Sequence, residues 1–218
     1  MLDHGGFLDK FIGDAIMVIF GAPVAHADHA TRAVACALEM QLSMQAVNEH
    51  FARTGLPQIE MGIGINTGEV VVGNIGSEQR LEYSALGDNV NLASRVEQLT
   101  KRFGADILLT EETRAAVPSF ACLEIEKVRV KGRRGVTTLY ALLATEETEP
   151  VSKLAAAHER MLEAYRGGKA DLMATILKEA ESLYRPDYAG LLSYYRKQVD
   201  WLRGLDAPWD GIHSLDQK

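Results

Sequence analysis

The chain has 218 residues, 47% hydrophobic and 24% charged, an ordinary globular composition with room for one domain plus an appendage. Its formal net charge of −7 argues against general nucleic-acid binding, which needs a basic footprint for phosphate backbones. Only Cys36 and Cys122 carry thiols, so no disulfide framework is expected, and a reducing compartment fits best. No apolar run reaches the length of a membrane span, and no basic segment leads into an apolar core at the N-terminus.

Phe7 to Phe11 reads as a strand, Gly13-Asp14 as a tight turn, and Ala15 to Phe20 as the returning strand. From about His26 to Thr54, apolar residues recur at helical spacing until Gly55 and Pro57 stop them. Ile59, Met61, Ile63 and Ile65 alternate as a strand with one buried face. After a turn at Thr67-Gly68, Glu69 to Ile75 returns as a Val-rich strand. A polar tip at Ser77 to Gln79 leads into a short strand ending at Leu86. Asp88 to about Phe103 is a helix, Ile107 to Leu109 a strand, and Glu111 to Val117 a short helix. Phe120 to Lys131 and Thr137 to Ala144 form a last hairpin, and the apolar parity shift after Ile125 predicts a bulge near Lys127. This order predicts an α+β fold, with helices on one face of a mostly antiparallel sheet.

Residues 1–145 form this first domain and residues 146–151, polar with one proline, read as a linker. Residues 152–218 are a helical extension, broken at Gly167-Gly168 and Arg185-Pro186 into three helices that could stack like a solenoid repeat. The ending, APWDGIHSLDQK, reads as irregular.

Two strings carry the chemistry: DKFIGDAIMVIFG at 9–21 and EYSALGDNVNLASR at 82–95. Asp14, beside a glycine in a turn, either favours the turn or offers oxygens to a hard cation such as Mg²⁺. Lys10 is either a strand-end lysine or a donor to a base or phosphate. Asn91 and Arg95, four apart on a helix, share one face, with an amide for a sugar oxygen and a planar fork for phosphate. Ser84 is a hydroxyl able to meet a base edge. Lys127, Arg129 and Lys131, with Arg133 and Arg134 beyond, form either a solvated edge or a phosphate clamp. The six histidines lack metal-ligand spacing.

K-x-x-G-D at 10–14, NTGEVVVGNIGS at 66–77, GDNVNLASRVE at 87–97 and VKGRRGVTTLYAL at 130–142 together resemble the catalytic domain of class III nucleotide cyclases. The resemblance covers about residues 4–144. It implies a ferredoxin-like core that works as a homodimer, or paired with another cyclase domain, with sites at the interface. The implied reaction converts ATP to 3′,5′-cyclic AMP and pyrophosphate, assisted by two ions of Mg²⁺ or Mn²⁺. By position, Asp14 resembles a metal-binding aspartate, and Lys10 the lysine that contacts adenine. Asn91 and Arg95 resemble the pair that positions the ribose and stabilises the transition state from the opposite subunit. Lys131 resembles a lysine on the terminal phosphates. Ser84 falls where many members carry Asp and another branch carries Thr, so it resembles the hydroxyl branch.

The family carries a further metal-binding aspartate on a first, central strand before K-x-x-G-D. Met1 to Leu8 holds no equivalent, so the chain is expected to lack that strand and to be weakly active or inactive alone. The extension resembles that of bacterial cyclases with an upstream extracytoplasmic sensor, which implies a cytoplasmic portion anchored through an upstream segment. The competing expectation is an inactive, cyclase-like regulatory or dimerisation partner. A diguanylate cyclase fits less well, since Ile12-Gly13-Asp14-Ala15-Ile16 is no G-G-D-E-F turn.

Overall fold

The computed structural model describes residues 1–77, 80–129 and 135–214. Strands β1 (Gly6–Ile12) and β2 (Ala15–Phe20) form the first hairpin, turning at Gly13 with φ 65. Helix α1 (His29–Thr54) ends where Gly55 takes a left-handed conformation, φ 75. Strand β3 (Ile63–Ile65) is shorter than the alternation from Ile59 predicts. At Ile59 the backbone N–H and C=O are taken instead by the Asn48 side chain on α1, and the Ile59 side chain is exposed. Strands β4 (Val71–Ser77) and β5 (Arg80–Leu86) form a second hairpin, followed by α2 (Asp88–Phe103), β6 (Ile107–Thr110) and α3 (Glu111–Ala116). The third hairpin pairs β7 (Ala121–Arg129) with β8 (Thr137–Ala144).

The strands form one five-stranded sheet, ordered β3-β6-β8-β7 and then a short final strand, with the first two hairpins standing as separate two-stranded sheets. Strand β6 is buried at all four positions because both faces of the sheet are covered. Ile107 and Leu109 point to a cluster with Ala30, Val34 and Ala37 of α1. Leu108 points to the opposite cluster, with Leu92, Val96 and Phe103 of α2. Helices therefore cover both faces, where the sequence pattern predicts only one.

The extension adds α4 (Glu149–Arg166), α5 (Ala170–Ala180) and α6 (Ala189–Arg203). Helix α4 begins at Glu149, inside the stretch read as a linker. The three helices do not stack away from the sheet. Leu154, Met161, Tyr165, Leu191 and Tyr195 share one apolar cluster with Leu123, Ile125 and Leu139 of the sheet. The ending is not irregular throughout either: β9 (His213–Ser214) adds to the sheet edge parallel to β7, and Asp210 pairs with Arg129 at 2.9 Å.

The expected bulge lies between Glu124 and Glu126 and turns Glu126 inward, fully buried. Tyr165 and Tyr194 each donate a hydroxyl to its Oε2 at 3.0 Å, and His213 Nδ1 lies 3.3 Å away. The Lys127 backbone N–H donates to Oε1. Nearby, the buried His158 donates from Nε2 to the Glu124 carbonyl at 2.8 Å, so its Nδ1 accepts from the Tyr184 hydroxyl at 2.8 Å. Burial pushes the imidazole down to about 4, with the carbonyl hydrogen bond opposing.

At the end of α2, Gly104 meets Gly190 of α6 backbone to backbone. A Cβ on Gly190 would lie 2.4 Å from the Gly104 carbonyl oxygen. Gly190→Ala forces the two backbone segments apart and is expected to cost about 1–3 kcal/mol. Thermal unfolding reads this as a fall of roughly 2–4 °C per kcal/mol; an unchanged midpoint shows that the helices shift freely.

His158 makes stability fall in acid. Its unfolded imidazole takes a proton near pH 6.5 and its folded one only near 4, so between these values the unfolded state binds more protons. The stabilisation is complete above about pH 6.5 and declines as pH drops toward 4, by about 3 kcal/mol in all. Denaturant midpoints at pH 7.5 and 4.5 measure the decline, and His158→Gln is expected to remove this component. An equally steep decline in that variant assigns it to other groups.

Candidate functional site

The register of the first hairpin slips between Leu8 and Lys10: Leu8 faces Val18, but Lys10 faces Met17. Asp9 is the extra residue of this bulge, and bulges re-aim side chains. Its side chain is 1% exposed, while that of Lys10 is 39% exposed with Nζ 3.8 Å from Asp9 Oδ2. Ser84, buried on β5, donates its hydroxyl to the same Oδ2 at 2.7 Å. Phe7 meets Tyr83 edge to face, with centroids 5.3 Å apart. An apolar and a polar contact thus join the two hairpins, and Lys10 and Ser84 become neighbours through Asp9. Sequence reading missed Asp9. The signal was present, since two adjacent polar residues between Leu8 and Phe11 break strand alternation just as the parity shift after Ile125 does.

Helix α2 turns Leu92, Val96, Thr100 and Phe103 into the core and leaves Asn91 exposed and Arg95 half-exposed on another face. Its start is pinned by groups that the sequence reading did not single out. Asn66 donates to the Asn89 carbonyl at 3.0 Å, and Asn89 donates to the Glu69 carbonyl at 2.9 Å. Thr110 donates to Asn66 Oδ1 at 2.8 Å, and Thr67 meets Thr113 at 3.0 Å. Gly68 is required here, because a Cβ would lie 2.4 Å from the Asn89 amide nitrogen. The Asn-Thr-Gly segment, expected as a turn, is extended out of β3 without a turn and acts as a clamp on the helix that presents Asn91 and Arg95.

Asp14 lies at the exposed tip of the first hairpin, beside Gly13. Among the described residues no group of three or more His, Cys, Asp or Glu side chains could hold a metal. A single exposed carboxylate still fits Mg²⁺, which is commonly held by one or two carboxylates with substrate phosphates and water. Lys131, with Arg133 and Arg134, lies outside the described residues. Arg129, read as part of either a solvated edge or a phosphate clamp, is engaged with Asp210 of the tail. Burial pushes the Cys122 thiol up to about 11, which leaves it unreactive, and both cysteines are free.

No helix among the described residues is long and apolar enough to cross a membrane. The chain is 40% identical over 154 residues to the terminal-differentiation-specific adenylate cyclase of Dictyostelium discoideum, covering 67% of this chain and 7% of that protein. It is 40% identical over 150 residues to an adenylate cyclase of Anabaena cylindrica, covering 65% of this chain and 29% of that one. The chain thus spans less than a third of these curated relatives. Its fold is like that of the guanylyl cyclase Cya2, with TM-score 0.59 and 42% identity over 68% of this chain and 75% of that one. It is also like the adenylyl cyclase CyaB from P. aeruginosa, with TM-score 0.60 and 32% identity over 68% of this chain and 76% of that one. Residues 9–144 match the adenylate and guanylate cyclase catalytic domain, and the chain belongs to that family.

Proposed function

We propose that this chain is the catalytic part of an adenylate cyclase, which converts ATP to 3′,5′-cyclic AMP and pyrophosphate at the interface of a homodimer. The observation that carries this reading is the junction of the two hairpins, where Lys10 and Ser84 sit together over one buried carboxylate. A cation and a hydroxyl held on one carboxylate, in a cyclase-family chain, suit the polar edge of a purine. Exposed apolar side chains support a second copy: Phe11, Ile12 and Ile16 on the first hairpin, and Val71, Leu81 and Leu86 on the second. Scattered exposed apolar residues are ordinary, but a concentration on two adjoining hairpins fits a buried protein–protein surface.

In this reading Lys10 and Ser84 hold the base, and Asn91 orients the ribose. Arg95 lies one helical turn further on, about 6 Å along the axis, and aims its fork at the α-phosphoryl oxygens. As the ribose 3′-oxygen bonds to the α-phosphorus and pyrophosphate leaves, charge grows on those oxygens. A preorganised guanidinium stabilises that charge more than it stabilises bound ATP. Lys131 meets the terminal phosphates. Asp14 of the other protomer would hold Mg²⁺ or Mn²⁺ against the triphosphate. When bound, these ions acidify the 3′-hydroxyl and screen the phosphates. The likeness to guanylyl cyclase Cya2 makes GTP the competing substrate.

Cyclase assays on the natural polypeptide carrying residues 1–218 test this reading, with residues 1–218 alone expected to turn over weakly. Arg95→Ala is expected to lower kcat about a hundredfold with KM little changed, the signature of a lost transition-state contact. An unchanged kcat removes Arg95 from the site, and ATP binding without any product favours the regulatory-partner alternative. Lys10→Glu is expected to lower kcat/KM for ATP relative to GTP by about tenfold or more; an unchanged ratio removes Lys10 from base recognition.

A further inference from the structure

A hydroxyl is ambivalent in recognition: it both donates and accepts, and so tells a donor from an acceptor poorly. Ser84 has lost that ambivalence. Its hydrogen is committed to Asp9 Oδ2 at 2.7 Å, and a carboxylate only accepts. The lone pairs left on Ser84 Oγ can only accept. Lys10, 3.8 Å from the same carboxylate oxygen, can only donate. Asp9 therefore turns two side chains into an ordered pair, donor beside acceptor.

Asp9 also has the marks of a residue held for such a task. It is the extra residue of a β-bulge, which interrupts the ladder between β1 and β2. Its side chain is 1% exposed, and its other oxygen, Oδ1, is buried with no hydrogen-bond partner. Burying a carboxylate with one oxygen unmatched is costly. The hairpins also meet through the apolar Phe7–Tyr83 contact, so the acid adds a polar link beside an apolar one.

The edge of adenine presents an acceptor at N1 beside a donor, the N6 amino group. Guanine presents the reverse, a donor at N1 and an acceptor at O6. A lysine ammonium beside an acceptor-only serine matches adenine at both positions and mismatches guanine at both. Sites built to pair a polar edge reject the wrong edge strongly, because buried groups are left unpaired. We propose that Asp9 is a positioning residue that fixes the polarity of Ser84 and holds Lys10 beside it, and thereby selects ATP over GTP. This inference rests on the reading that Lys10 and Ser84 face the base.

The test is fluorescence titration of the full chain with ribose-labelled mant-ATP and mant-GTP in the presence of Mg²⁺. The parent chain is expected to favour mant-ATP. Asp9→Asn is expected to reduce the ATP:GTP affinity ratio about tenfold, because its amide can donate to Ser84 and release the serine hydrogen toward O6. Asp9→Ala, which frees the hydroxyl without offering a donor, serves as a second variant should the first fold poorly, and is expected to bring the ratio toward one. Ser84→Ala is expected to lower the ratio as well, and combining it with Asp9→Asn to lower it by less than the sum of the two, because they share one hydrogen bond. A merely structural role for Asp9 would weaken both nucleotides alike and leave the ratio intact. A ratio unchanged in the folded Asp9 variants, while Ser84→Ala still shifts it, overturns the inference and spares the base-site reading. A parent chain that binds both nucleotides equally also overturns it, and one that binds neither overturns the functional reading itself.

Discussion

Glu126 is the constraint around which the rest of the molecule is arranged. A fully buried carboxylate is tolerable only when hydrogen-bonded from several sides; the Tyr165 and Tyr194 hydroxyls of the extension both donate to it, and His213 Nδ1, hydrogen-bonded to Tyr165, lies 3.3 Å away. Removing the extension would strip those partners and expose Leu123, Ile125 and Leu139 on the sheet. The cyclase-family region and the helical extension therefore share one interior. The Gly104 and Gly190 backbones meet with no room for a side chain, which fixes α6 against the end of α2. Through α2 the packing of the extension is continuous with the helix that carries Asn91 and Arg95.

Two β-bulges do corresponding work. One lies between Glu124 and Glu126 and the other between Leu8 and Lys10. Each turns an acid into the interior of a strand that alternation alone would place outside. At Glu126 the acid gathers tyrosines and a histidine and secures the extension. At Asp9 it gathers a serine and a lysine and joins the two hairpins. An inward carboxylate is an efficient organiser because it accepts in several directions and tolerates few wrong partners. Asp9 accepts the Ser84 hydroxyl hydrogen from the neighbouring hairpin.

The motifs were readable because their spacing is rigid. Lys10, Gly13 and Asp14 are tied to a two-residue turn, and Asn91 and Arg95 to one helical turn, so their local placement follows from the residues alone. The clamp on α2 was not readable. Asn66, Asn89 and the pair Thr110 and Thr113 come from three separate segments, and each looks like an ordinary turn or cap residue. Asp9 was half readable: the broken alternation marks a bulge, but only the approach of β5 supplies Ser84 as its partner.

The sequence by itself determined the element types, the three hairpins, the helix ends at glycine and the family, because these depend on periodicity, turn chemistry and motif spacing within a few residues. Only the tertiary structure decided that helices cover both faces of the sheet. It also decided that the extension is docked into the same core, that the last residues add a strand beside β7, and that Arg129 faces Asp210. These outcomes depend on pairings between residues far apart in the chain, and local pattern does not encode which buried surface meets which.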